Sequence, residues 1–267
     1  MKKIVLLAAM AAAFFLSEGT ASAQKQCGIV AHRGFWNCEE AGYAKNSIAA
    51  LKCAQEQGFW GSEFDVNMTA DSVLLVFHDH DINGKKIEEH PYSEFADVTI
   101  KNGEKIPTID EYLEQGKKHP EVMLVYELKR HSCKEIEDTF VDMTIAKLKE
   151  HGLLDPQRVM FISFSINICE VLANKLPEFT VQFLGPELNP DQVADLGING
   201  VDYKHTVLRA HKKWYRKARQ RNMSVNTWTV NHKKDMKKML RMGVDMLTTD
   251  YPLEARELMK EMKMTEL

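Results

Sequence analysis

Short β-branched and apolar runs alternate along this chain with stretches whose apolar residues recur at helical spacing. The period-2 runs predict strands at 27–32, 62–67, 73–78, 122–129, 159–164, 180–184, 200–203, 224–230 and 246–249. Between them, amphipathic segments such as 46–57, 108–118, 133–150 and 214–221 predict helices, and the tail 253–267 reads as a closing helix. The run at 73–78 follows its predecessor after only Thr69-Ala70-Asp71-Ser72, too short a link for a parallel crossover, so it doubles back as a hairpin arm. Eight strand-helix units remain, which predicts an α/β chain folded as a single TIM (β/α)8 barrel, with a β-hairpin and a short insertion after the second barrel strand. The insertion, 82–106, is polar, carries Asn83-Gly84 and Asn102-Gly103 turns, and reads as an excursion above the barrel mouth. An open doubly wound sheet is the other arrangement of such units. Its glycine-rich first loop is missing, and His32-Arg33-Gly34 stands in that place.

Length agrees with one barrel. The chain has 267 residues, against roughly 250 for a typical barrel of this kind. Residues 1–23 carry Lys2 and Lys3, an apolar run from Ile4 to Leu16, and Ala21-Ser22-Ala23, the pattern of a secretory signal peptide. The expected product is residues 24–267, exported to a periplasmic or extracellular location and without a transmembrane anchor, since no second apolar span of membrane length follows. A formal charge of -3 gives no electrostatic case for a nucleic-acid partner, and the Lys212-Lys213 and Lys237-Lys238 pairs read as solvated helix faces. The five cysteines are odd in number, so at least one stays outside any intrachain bridge. They lack a Cys-x-x-Cys pair and are expected as buried small hydrophobes. Oligomeric state leaves no mark in the sequence.

The chemistry-bearing residues gather early. His32 and Arg33 end the first strand, Glu63 and Asp65 alternate on the second, and His78 ends the hairpin arm. Residues two apart on a strand share a face, so Glu63 and Asp65 point together, and Glu127 and Lys129 do the same on a later strand. Three carboxylates from two strands form an oxygen platform for one divalent cation, Mg²⁺ or Ca²⁺, while the imidazoles are placed to move protons and Arg33 to neutralise a phosphate. This is the inventory for metal-assisted attack on a phosphodiester. His80, His90, His119, His131, His151, His205, His211 and His232 lack that context and read as surface or capping residues.

The ordered set His32-Arg33-Gly34, Asn46-Ser47, Glu63-Phe64-Asp65-Val66, Thr69-Ala70-Asp71, His78-Asp79, Ile106-Pro107-Thr108, Glu127-Leu128-Lys129, Trp228-Thr229-Val230-Asn231 and Thr249-Asp250-Tyr251-Pro252 resembles the glycerophosphodiester phosphodiesterase family over residues 28–255. The resemblance implies a phosphoric diester hydrolase that converts small-molecule glycerophosphodiesters to glycerol 3-phosphate and an alcohol with one divalent metal. By matching position it implies His32 and His78 as the acid/base pair, Glu63, Asp65 and Glu127 as metal ligands, Arg33 and Lys129 as phosphate contacts, and Trp228 as a wall of the glycerol pocket. This chain departs from the family pattern twice. Ala44-Lys45-Asn46-Ser47 replaces the usual Pro-Glu-Asn-Thr, exchanging an acidic side chain for a basic one, and Asp81-Ile82-Asn83-Gly84 shortens the stretch after His78-Asp79. Two rival readings use the same barrel. One is a phospholipase D or sphingomyelinase-like activity on lysophospholipids, whose apolar rim would draw on Phe35, Trp36, Phe59 and Trp60, although Phe59 and Trp60 follow a helix and are expected to pack under the barrel wall. The other is a non-catalytic phosphate-ligand binder in which Lys45 blocks the metal.

Overall fold

The computed structural model describes residues 25–267, and the expected signal segment 1–23 lies outside them. In chain order the elements are β1 (Gln26–Ala31), α1 (Ile48–Glu56), β2 (Gly61–Met68), β3 (Leu74–Val76), β4 (Asp81–Ile82), β5 (Lys85–Lys86), α2 (Ile109–Gly116), β6 (Met123–Leu128), α3 (Lys134–Glu150), β7 (Val159–Ser163) and α4 (Ile166–Lys175). There follow β8 (Val181–Phe183), α5 (Pro190–Asp195), β9 (Gly200–Lys204), α6 (His205–Ala210), α7 (Lys212–Gln220), β10 (Ser224–Trp228), α8 (Lys233–Met242), β11 (Met246–Thr249), α9 (Pro252–Glu261) and β12 (Thr265–Glu266). Parallel pairing runs β10-β9-β8-β7-β6-β2-β1-β11, which makes eight staves. The seam between β11 and β10 is bridged by Asp245 N–H to Val225 C=O at 2.8 Å and Val230 N–H to Thr248 C=O at 2.9 Å. All nine expected strands are present, and β3 runs antiparallel to β2, as the short link requires.

Alternation along the staves sorts side chains into two cores. Ile29, Phe64, Val66, Tyr126, Phe161, Tyr203 and Leu247 point outward into the layer shared with the helices. Val30, Val125, Met160, Ile162, Leu184 and Met246 point inward and fill the barrel, with Trp60 and Met123 packed against them. The buried carboxylates and amides of Glu63, Asp65, Asn67, Glu127, Asp202 and Asn226 fall on the inward phase of the same strands. Helix starts follow local capping chemistry. Ser47 accepts from Ala50 N–H to open α1, and Thr108 and Glu111 form a reciprocal capping box at α2.

The insertion packs Ile82, Ile87, Phe95 and Ile106 into a small core against Leu75 of β3. Its β4–β5 turn uses Asn83 and Gly84 at positive φ of 54° and 79°. Three expectations need correction. The tail is not helical throughout, because α9 stops at Glu261 and β12 pairs in parallel with the start of β1. Glu266 anchors it there, accepting from Trp60 N–H and from Arg256. His131 is buried rather than superficial, accepting from Met68 N–H at Nε2, pairing with Glu88 at Nδ1 and packing edge-on against Phe140. Finally, Cys27, Cys53 and Cys169 are buried, but Cys133 is exposed. No described helix is long and apolar enough to cross a membrane.

Candidate active site

The ladder between β2 and β6 sets Asp65 directly beside Glu127, with Glu63 two residues earlier on the same inward phase. One oxygen from each of the three carboxylates lies within 4.8 Å of the other two. Their environments differ. Asp65 carries most of the compensation: Asn46 Nδ2 donates to Oδ2 at 2.9 Å, Arg33 Nε lies 3.3 Å from that oxygen, and Lys129 Nζ donates to Oδ1 at 3.1 Å. Burial would raise its pKa, but the Lys129 and Arg33 charges outweigh burial and bring it to about 2. Burial, with the Asp65 charge behind it, pushes Glu127 up to about 7, despite Lys129 at 2.8 Å from its Oε1. Glu63 is held well above the usual carboxylate range by burial and by its two acidic neighbours, and its Oε1 has no hydrogen-bond partner.

Three buried carboxylates against two cations leave an excess of negative charge and an orphaned oxygen in the barrel interior. A hard divalent cation answers both, so the donor set fits the expected metal.

The first βα loop wraps around this cluster. Arg33 and Gly34 both adopt left-handed backbone, φ 58° and 77°, which turns the Arg33 N–H onto Glu63 Oε2 at 2.7 Å and the Gly34 N–H onto Glu63 C=O at 3.0 Å. A Cβ on Gly34 would meet Ala50 at 2.7 Å, so the glycine is required twice over. His32 follows β1 directly, and its Nδ1 lies 2.7 Å from Asp250 Oδ1. His78 follows the hairpin arm, with Nδ1 2.6 Å from Asp79 Oδ1. Asn67, two residues beyond Asp65 on the same face, clamps that segment by donating to Phe77 C=O at 2.7 Å and Asp79 C=O at 3.1 Å. Burial lowers the His78 pKa, and the Lys129 and Arg33 charges add to it against the pull of Asp65.

His32, Arg33, Glu63, His78, Glu127 and Trp228 line one cavity of about 160 Å³ at the strand ends. Asp65 and Lys129 form the polar layer behind Glu63 and Glu127 instead. Trp228 is fixed by its indole N–H on Asp202 C=O at 2.8 Å and by an edge-on contact with Phe164. Lys45 is absent from the acid cluster. It is exposed, with its ammonium 4.5 Å from the centre of the Trp36 ring, so it does not block a metal. Phe35 and Phe59 are buried against each other at 5.5 Å and Trp60 belongs to the barrel interior, which removes three of the four aromatics of an apolar rim.

Four site residues were given no role by the sequence: Asn46, Asp79, Asp202 and Asp250. Asp250 stood in the resembling run Thr249-Asp250-Tyr251-Pro252, but its partner became visible only in the fold. The register pairs Ala31 with Thr249, so the residue after each strand lies side by side with the other.

The cluster sits at the C-terminal ends of the staves, where barrels of this type carry their catalytic groups, and this defines the protein as a barrel enzyme. The profile of the glycerophosphoryl diester phosphodiesterase family matches residues 32–254, and the chain belongs to that family of phosphoric diester hydrolases. It is similar to the crystal structure of a glycerophosphodiester phosphodiesterase from Parabacteroides distasonis, with 38% identity, a TM-score of 0.86, and coverage of 90% of this chain and 99% of that one. A glycerophosphodiester phosphodiesterase from Caldanaerobacter subterraneus subsp. tengcongensis is 28% identical over 84% of this chain and 94% of its own length. The fold also matches a phosphodiesterase from Oleispira antarctica, solved in complex with the product sn-glycerol-3-phosphate, at 22% identity and a TM-score of 0.75, covering 89% of this chain and 97% of that one.

Proposed function

We propose that this protein is an exported, divalent-cation-dependent glycerophosphodiester phosphodiesterase that releases glycerol 3-phosphate and an alcohol by acid-base catalysis between His32 and His78. The observation that carries the reading is the single cavity in which both imidazoles, the Arg33 guanidinium and two of the three clustered carboxylates meet. The similar proteins from Parabacteroides and Caldanaerobacter are glycerophosphodiester phosphodiesterases, which supports the substrate class. Residues 24–267 are the proposed mature domain, residues 1–23 being the export segment.

In the proposed mechanism Glu63, Asp65 and Glu127 hold the cation, Mg²⁺ or Ca²⁺, which when bound withdraws charge from the phosphoryl oxygens. Arg33 adds positive charge on the phosphate side, Lys129 balances Asp65 and Glu127 behind it, and Trp228 walls the glycerol half of the cavity. One imidazole removes the proton from the attacking hydroxyl, whether of water or of the substrate's own glycerol. The other delivers a proton to the departing alkoxide. The carboxylates of Asp250 and Asp79 keep each ring's Nδ1 engaged, which leaves Nε2 as the atom that exchanges the proton.

The test is an assay of a panel of glycerophosphodiesters with Ca²⁺, with Mg²⁺ and with chelator, following glycerol 3-phosphate. Release that depends on added cation is the expected result. A protein that releases none in any condition is a binder, and preferential cleavage of lysophospholipids would move it to the phospholipase D class.

A further inference from the structure

Across the barrel interior from the charged cluster, one more ionisable side chain faces the same cavity. Asp202 projects inward from the middle of β9, is 1% exposed, and lines the pocket together with His32, Glu63 and Glu127. Its Oδ2 accepts a hydrogen bond from Asn226 Nδ2 at 3.1 Å. That amide also donates to Thr248 Oγ1 at 3.0 Å, and the Thr248 hydroxyl lies 3.2 Å from Asn226 Oδ1, so Asn226 and Thr248 largely satisfy each other. Asp202 Oδ1 is buried without a partner. Apart from the ionisable residues and Thr248, the lining is Ile162, Leu184, Phe164, Trp228 and Thr229, and the Trp228 indole N–H is already spent on the Asp202 carbonyl.

A buried carboxyl oxygen with no partner is costly, and a barrel interior already filled by Met160, Ile162 and Leu184 would be served better by another aliphatic residue. Stability alone therefore gives no reason for Asp202. The cavity has a charged end at Glu63 and Glu127, apolar sides, and on β9 a buried carboxyl oxygen without a partner. A ligand that fits has a phosphate ester, a short carbon skeleton to lie against Ile162 and Trp228, and a hydroxyl beyond it.

We propose that Asp202 Oδ1 hydrogen-bonds a hydroxyl of the substrate's glycerol unit and so selects glycerol over unhydroxylated phosphate esters at this site. The assignment rests on the phosphodiesterase reading above and names the side chain that recognises the glycerol half. Asp202 is a specificity residue here, touching the substrate away from the reacting phosphorus.

Calorimetric titration of the full-length, cation-loaded protein with glycerol 3-phosphate and with n-propyl phosphate tests it, because the two ligands differ only in hydroxyls. The wild type is expected to bind glycerol 3-phosphate about 10-fold tighter or more, the range for a hydrogen bond whose loss strands a buried polar group. In Asp202→Leu the ratio should fall to about 1 while the affinity for n-propyl phosphate stays within about 3-fold. Asp202→Ala is read in the same way should the leucine variant not fold. A wild-type ratio near 1, a ratio preserved in the variants, or a parallel loss of both affinities overturns the assignment. Failure of the enzymatic reading is seen separately, as absence of glycerol 3-phosphate release by a wild type that still shows the binding preference.

Discussion

Asp250 Oδ1 lies 2.7 Å from His32 Nδ1 and accepts the Trp36 indole N–H at 3.0 Å, while its Oδ2 accepts from Asn231 Nδ2 at 2.6 Å. Burial opposes ionisation of Asp250, but the hydrogen bond and charge of His32 outweigh it and bring its pKa to about 2. An ionised carboxylate only accepts, so Nδ1 is the ring nitrogen that donates to Asp250 and Nε2 is the one left to exchange a proton. Asp250→Asn offers an amide that stabilises the wrong tautomer equally well. We expect it to lower kcat by about 10- to 1000-fold with KM changed much less, in steady-state assays on a glycerophosphodiester. An unchanged kcat would show that Asp250 does not orient the ring.

Cation affinity should titrate. Burial and the Asp65 charge raise Glu127 to about 7, and burial with both acidic neighbours raises Glu63 as well. Below about pH 7 Glu127 holds a proton that a cation must displace, so affinity weakens as pH falls below 7, by roughly 10-fold per pH unit where one proton is released. Calorimetry in buffers of different ionisation enthalpy reads the proton count directly. Equal affinity at pH 5.5 and pH 7.5 would exclude the buried trio as the cation's ligands.

Glu63→Gln separates stability from function. The substitution keeps an acceptor for the Arg33 N–H and removes a charge repelled by Asp65 and Glu127. The chelated variant should melt above the chelated wild type at pH 8, by roughly 2–5 °C, while losing cation binding. A lower melting temperature would mean that the carboxylate is needed for the fold.

The strand pattern and the acid-histidine inventory were legible because period-2 alternation and residue type are local properties. Glu63, Asp65 and Glu127 followed from side-chain phase on neighbouring strands, and His32 and His78 from their positions at strand ends. What escaped depends on register and closure. Asp250 reaches His32 only because β11 pairs with β1, across 218 residues of chain. Asp202 looked like any polar residue in a short strand until the barrel closed around it. The same distance effect hid the return of β12 to β1 and the burial of His131 under the insertion residue Glu88.

Lys45 is the departure whose consequence the fold alters. Because its ammonium rests on Trp36 outside the carboxylate trio, Lys45→Ala should leave cation affinity within about 2-fold. A lysine seated among the three acids would give the opposite result, a marked tightening when removed, and titration of the two proteins with Ca²⁺ or Mg²⁺ distinguishes them.

Rates of glycerol 3-phosphate release by the wild type, His32→Ala and His78→Ala, measured side by side with saturating cation, test most directly whether the two imidazoles do the proton transfer. Both variants should fold and bind the cation yet turn over about 10²- to 10⁴-fold more slowly. Wild-type turnover in either variant would contradict the account.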